Sequence, residues 1–304
     1  MPAVPSRTAT RLGIAGFVLL ALAAVALLVT RDDGRSPVAA DVTTTTTVRP
    51  TTTEPPDDVV TAVPGQSLTT EVAAVKGTVI DVYATIPDAA IAATAPATAS
   101  PPTATKAAVL PIPRDGYGSA GVRKSADGWQ FDNPTYFGNP LVFVVTAEHE
   151  GWLRVLIPSR PNNQQGWVRA ADVTRSTHTF RVELDLSDFT LKAYDGAEVF
   201  AETKVVVGKP TTPTPVGTFY ITEALPRGKH NPGGPYGAWI LPTNGYSEAL
   251  NEFDDGLPVI ALHGTNNPGA VGTAVSNGCV RIPDEVVSQL AERLPAGTPV
   301  IVTA

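Results

Sequence analysis

Short runs of alternating apolar and polar residues, closed by turn residues every eight to twelve positions, occupy most of the chain from Leu141 onward. LVFVVTAE, GWLRVLIP and QGWVRAADV follow one another, with Glu150–Gly151 and Asn162–Asn163 between them. A period of two is that of a strand with one face buried. The pattern continues through Phe180–Leu186, Thr190–Tyr194 and Val199–Val207, with Asp195–Gly196 as a hairpin turn. Gly217–Leu225, Leu257–Leu262 and Thr298–Thr303 read as further strands. A helical period appears clearly once. Pro283–Leu294 places Val286, Val287, Leu290, Ala291 and Leu294 on one face, and Pro295 and Gly297 end it. The expected fold class is mainly β with one late helix. With 43% hydrophobic and 17% charged residues, the chain can bury a sizeable core.

The N-terminal third reads differently. Leu12–Thr30 carries no charge, and as a helix it would span roughly 28 Å, about one hydrocarbon core. Arg7 and Arg11 precede it, which orients the N-terminus inward. The expectation is a cytoplasmic 1–11, a transmembrane anchor at 12–30 and an extracytoplasmic remainder, so the chain is expected in the cell membrane as a single-pass protein. A cleaved signal peptide is the rival, but its apolar core is normally shorter, and the only cleavage signal is a weak one near Ala39–Ala40. Residues 31–66 are expected to be a disordered linker. Between 36 and 65 there are five prolines, the runs Thr43–Thr47 and Thr51–Thr53, and no aromatic residue.

Net charge excludes one class of partner. At −7 the chain lacks the basic surplus that phosphate neutralisation needs, so no nucleic acid is expected. One cysteine excludes an intramolecular disulfide and a multi-cysteine zinc site. No cofactor and no metal are expected.

A β-module is expected over 72–174. Val72–Ile86 reads as strand, Lys76–Gly77 turn, strand. The pattern lapses into Ala, Pro and Thr after 88, so an insertion is expected around 88–135. The strand pattern together with Trp152 and Trp167 resembles bacterial SH3-like modules, small β-barrels. Such a unit could bind or position wall material, or serve as a spacer with both tryptophans in its core.

The chemistry gathers between His263 and Ile282. His263 follows an apolar strand, which can hold a side chain rigidly. Cys279 follows a glycine and shortly precedes the helix. A nearby imidazole and a helix N-terminus would both favour its thiolate. Gly278 lets the backbone approach closely, so its N–H and that of Cys279 could cradle an oxyanion. Arg281 offers a forked donor for a substrate carboxylate.

His263-Gly264-Thr265, then Ser276-Asn277-Gly278-Cys279-Val280-Arg281, together resemble the L,D-transpeptidase (YkuD-type) catalytic domain. Thr212-Pro213-Thr214-Pro215-Val216-Gly217-Thr218-Phe219 resembles a second signature of that family, a TPxG segment leading into a strand. The resemblance covers about 178–303, within a catalytic β-sandwich domain expected at 176–304. Asn277 stands where the family usually has histidine.

The resemblance implies a cysteine acyltransferase forming 3→3 cross-links in peptidoglycan, with stem peptides as donor and acceptor. Cys279 would be the nucleophile and His263 the general base and proton donor, oriented by the Gly264 carbonyl. Asn277, Gly278 and Cys279 would supply oxyanion donors, and Ser276 and Arg281 would contact substrate. Tyr236, Trp239 and Tyr246 would belong to a lid over the acyl site. Carbapenem-type β-lactams would be covalent inhibitors, and the catalytic domain would face the cell wall. The alternatives are an L,D-carboxypeptidase using water as acceptor and a silent peptidoglycan-binding protein. A papain-like enzyme has cysteine before histidine, and a sortase has a much wider spacing.

Overall fold

The computed structural model describes residues 69–87, 121–227, 234–253 and 256–304. The expected anchor and linker, 12–30 and 31–66, lie outside the described residues. All described residues belong to one compact unit, Pro56–Ala304.

The first half is a single antiparallel sheet. Its strands are β1 (Thr70–Val75), β2 (Val79–Tyr83), β3 (Val122–Ser125), β4 (Gly128–Asp132), β5 (Val142–His149), β6 (Trp152–Leu156), β7 (Gln165–Arg169) and β8 (Val173–His178). They lie in the order β3-β4-β2-β7-β6-β5-β1-β8. The Lys76–Gly77 turn separates β1 from β2 without pairing them. β1 takes β5 and β8 as neighbours, while β2 takes β4 and β7. The hairpin β3–β4 falls inside the stretch expected as an insertion, yet it extends the sheet from β2. β8 carries the module to His178, four residues past the expected end.

Trp152 and Trp167 lie outside the module's main core cluster, although Trp152 is itself buried. Strand alternation sends Leu153, Val155 and Val168 inward to pack with Phe131 and Phe143. The tryptophans take the opposite face. Trp152 lies against the Tyr83 ring and under the Arg169 guanidinium, and Arg154 stands over Trp167.

The second half is two sheets and a helix. β9 (Phe180–Asp185), β10 (Thr190–Asp195) and β11 (Glu198–Lys204) form a meander, with the Asp195–Gly196 turn as expected. Strands β12 (Val207–Gly208), β13 (Gly217–Tyr220), β14 (Leu225–Pro226), β15 (Trp239–Tyr246), β16 (Val259–His263), β17 (Ala274–Ser276), β18 (Val280–Arg281) and β19 (Pro299–Thr303) follow. One sheet runs β11-β10-β9-β19-β13 and the other β14-β15-β16-β18, while β12 and β17 pair alone. Helix α1 (Asp284–Arg293) lies within the range expected from its period. Its Val287 and Leu290, with Leu294 beyond it, pack with Val182, Leu184 and Leu191 of one sheet and Leu241, Leu262 and Val280 of the other. Each such side chain contributes about 1.5–3 kcal/mol on burial.

The two halves share their interior. Tyr246, 1% exposed, belongs to the module's core, with Leu257 and Val259 packed beside it. It is therefore an interface residue and not part of a lid. Its backbone N–H and carbonyl both bond to the side chain of Asn162, at 2.9 Å each. Tyr220 is fully buried among Val72, Val142, Val144 and Leu156, and its hydroxyl donates to the Val142 carbonyl at 3.2 Å.

Candidate active site

Strand register sets the site. In the parallel pair β16–β18, Leu262 stands opposite Val280 and His263 opposite Arg281. Paired residues share a face. Leu262 and Val280, each 1% exposed, mark the core side. His263 and Arg281 take the other side, and alternation back along the chain puts Cys279 with them. The sulfur lies 3.7 Å from the Val259 carbonyl, and a backbone hydrogen bond from Ala261 also reaches it.

His263 is 3% exposed. Its Nδ1 lies 2.6 Å from the Gly264 carbonyl. A carbonyl oxygen only accepts, so Nδ1 carries the proton and Nε2 the lone pair. The Tyr236 ring meets the imidazole edge-on, with centroids 5.0 Å apart. Burial is the main cause that holds the imidazole pKa down, to about 4. The Gly264 bond pulls it up, Arg281 pulls it down and Asp284 pulls it up.

Burial also pushes the Cys279 thiol up, outweighing the Ala261 bond and the Arg281 charge, which pull it down. The sequence expectation of a favoured thiolate is thus corrected. Desolvation disfavours charge on both partners, so the resting site holds a neutral thiol and a neutral imidazole.

The turn before Cys279 is internally braced. Ser276, 1% exposed, donates from Oγ to the Cys279 carbonyl at 2.6 Å and accepts the Gly278 N–H at 3.1 Å. Its hydroxyl thus braces the turn from within. Gly278 has φ +118°, a conformation that an L side chain rarely adopts. Its N–H is engaged, whereas the Cys279 N–H donates to no described residue. Asn277 is exposed, and its Oδ1 accepts from Lys209 Nζ at 3.0 Å.

The Thr212–Phe219 signature explains itself here. Thr214 Oγ1 accepts the Gly208 N–H at 2.9 Å and donates to the Gly278 carbonyl at 2.8 Å. Thr212 Oγ1 donates to the Ser276 carbonyl at 3.3 Å. The segment clamps the cysteine turn from outside.

Trp239 lies on β15, with its ring packed against the catalytic core. Its carbonyl accepts the Gly264 N–H at 3.1 Å. A strand thus holds it where a lid was expected. Arg281 exchanges backbone bonds with Val206, at 2.9 Å each, and its buried Nε has no hydrogen-bond partner among the described residues.

Sequence reasoning missed Asp284. Its Oδ1 accepts the Thr265 N–H at 3.0 Å and lies against Gly264. An acidic residue directly after a proline at a helix start was the available signal. Lys209 was also missed, and its position directly after a two-residue strand gave no signal at all.

Residues 179–302 match the YkuD family, described as the L,D-transpeptidase catalytic domain. Over 166 residues the chain is 37% identical to the YkuD protein of Bacillus licheniformis, which is named for an L,D-transpeptidase. That match covers 52% of this chain and 91% of the relative. The YkuD protein of Bacillus subtilis, similarly named, is 35% identical over 126 residues, covering 41% of this chain and 67% of the relative. Among solved structures, an L,D-transpeptidase from Enterococcus faecium is 25% identical with a TM-score of 0.32, covering 41% of this chain and 49% of that one.

Proposed function

Because the chain belongs to the YkuD family of L,D-transpeptidase catalytic domains, we propose that it is a peptidoglycan L,D-transpeptidase acting by cysteine acyl transfer. The donor is a stem tetrapeptide, and the acceptor is the side-chain amine of a second stem. The observation that carries the reading is the Nδ1 contact of His263 with the Gly264 carbonyl at 2.6 Å. It commits Nε2 to act as the base.

Cys279 attacks the carbonyl of the third stem residue. The S–C bond forms as the thiol proton passes to His263 Nε2. The C–N bond to the terminal D-alanine then breaks, and the imidazolium returns its proton to the departing amine. In the second half, the acceptor amine attacks the thioester. His263 takes the amine proton and gives it to the leaving sulfur, which restores the thiol and leaves a 3→3 amide. A neutral resting pair suits this order, since charge separates only once substrate excludes water.

The Cys279 N–H is the available backbone donor for the oxyanion, joined by the Asn277 backbone N–H and, once released from Ser276, by the Gly278 N–H. Arg281 takes a substrate carboxylate, with its unpartnered Nε supporting that role. Tyr236 packs on the imidazole and closes one wall of the acyl site.

The reading extends to the whole chain. Residues 12–30 anchor it in the membrane and 31–66 act as a stalk. The first half is an SH3-like module, and the catalytic half at 176–304 faces the wall. Carbapenem-type β-lactams, as strained acyl donors, acylate Cys279.

The test is product analysis by mass spectrometry with a tetrapeptide donor and an amine acceptor. A 3→3 dimer supports the proposal. Tripeptide alone would make the enzyme a carboxypeptidase, and no turnover would leave a silent binding protein.

A further inference from the structure

Lys209 grips the cysteine turn twice. Its backbone N–H donates to the Ser276 carbonyl at 3.0 Å, and its own carbonyl accepts the Thr212 N–H at 2.9 Å. Its ammonium donates to Asn277 Oδ1 at 3.0 Å. An ammonium has three N–H groups and no lone pair. The bond therefore decides how the Asn277 amide is turned, with oxygen towards Lys209 and Nδ2 away from it.

Donors outnumber acceptors at this place. One contact uses one of the three ammonium N–H groups, and Asn277 adds two amide N–H. Among the described residues, Lys209 enters no ion pair, although the chain has a net charge of −7. An exposed bond of this kind contributes little to folding. Asn277 stands two residues before Cys279, on the turn that carries the nucleophile, and brings the Lys209 ammonium to it.

We propose that Lys209 and Asn277 form a carboxylate-binding subsite for the peptide substrate, distinct from the contact made by Arg281. It selects stem peptides with a free carboxylate over the same peptides amidated there. The subsite rests on the transpeptidase reading and adds a substrate preference to it. Lys209 supplies the charge and fixes the amide, and Asn277 supplies a neutral donor whose state does not change with pH.

The test measures binding without turnover, on the full-length chain carrying Cys279→Ala. Two tetrapeptides are titrated, alike except that one non-terminal carboxylate is free or amidated. The expected result is about tenfold tighter binding of the free carboxylate, with the preference shrinking as salt rises. Adding Lys209→Met keeps both backbone bonds of residue 209. It is expected to abolish the preference by weakening only the carboxylate peptide, and Lys209→Arg is expected to restore much of it. Equal binding of the two peptides, unmoved by Lys209→Met, would overturn the subsite alone. Failure of both peptides to bind, in a protein whose parent with Cys279 is acylated by a carbapenem, would overturn the subsite and the choice of stem peptides together. Failure of acylation as well would overturn the transpeptidase reading itself.

Discussion

Asp284, the first residue of helix α1, accepts the backbone N–H of Thr265 at 3.0 Å and so ties the helix to the loop that follows His263. Its charge also raises the imidazole pKa against the effect of burial. Asp284→Asn keeps an acceptor but removes the charge. Acylation by a carbapenem is expected to slow by roughly tenfold, about 1.4 kcal/mol. The acid limb of its pH profile is expected to move to lower pH. A variant with a wild-type rate and an unmoved limb would show that the carboxylate has no hold on His263.

Gly264 is the second fixed point of that loop. A Cβ there would strike the Asp284 carboxylate and come within 2.9 Å of Ala238 N. The neighbour on one side is backbone, which cannot swing away. Gly264→Ala is expected to displace the carbonyl that holds Nδ1 and to cost at least tenfold in acylation rate. Stopped-flow acylation of the two proteins measures it.

The titration of His263 sets the acid side of both stability and acylation. In the unfolded chain the imidazole takes a proton near its ordinary 6.5, whereas in the folded one it does so only near about 4. The unfolded state binds more protons in that window. Stability is therefore intact above pH 6.5 and is lost as pH falls towards 4. His178, also pushed down by burial, adds to the same slope. Urea midpoints measured across that window should fall on acidification, and His263→Gln should flatten part of the fall. The base itself stays neutral at all pH values above about 4, so the acid limb of acylation belongs there. In the absence of substrate, the raised thiol should react sluggishly with iodoacetamide at neutral pH.

Much of this was legible in the sequence, and the misses have physical causes. The alternation in Phe180–Asp185 and Thr190–Asp195 and the helical period after Pro283 read directly, because each element buries one face. The pairing partners did not. β1 and β2 look like a hairpin, yet each pairs elsewhere, since pairing is decided by long-range packing that local pattern does not encode. Tyr246 was expected in a lid, but the module's core covers it. The strand that delivers His263 was plain, because an apolar run leads into it. The raised thiol was not, since burial belongs to the fold and not to spacing.

The clamp on the cysteine turn predicts a large local effect. Thr214→Val leaves the Gly208 N–H and the Gly278 carbonyl, both buried, without their present partner. The expected loss is about 2–4 kcal/mol of stability, with a fall in acylation rate. Thr214→Ser should recover most of both. Calorimetric melting of the three proteins tests it.

The shared interior makes the halves interdependent. Removing residues before Thr179 would strip Tyr220 of Val72, Val142, Val144 and Leu156, and Tyr246 of its core. The fragment from Thr179 is expected to melt well below the full chain and to self-associate. A sharp melt at the same temperature would show that the two halves fold independently.

The most direct test of the central claim is the intact mass of the protein after exposure to a carbapenem, run beside Cys279→Ala and His263→Gln. The account predicts a single covalent adduct on the wild type, none on Cys279→Ala, and a much slower one on His263→Gln. A folded wild type that remains unmodified, or an adduct that persists in Cys279→Ala, would contradict it.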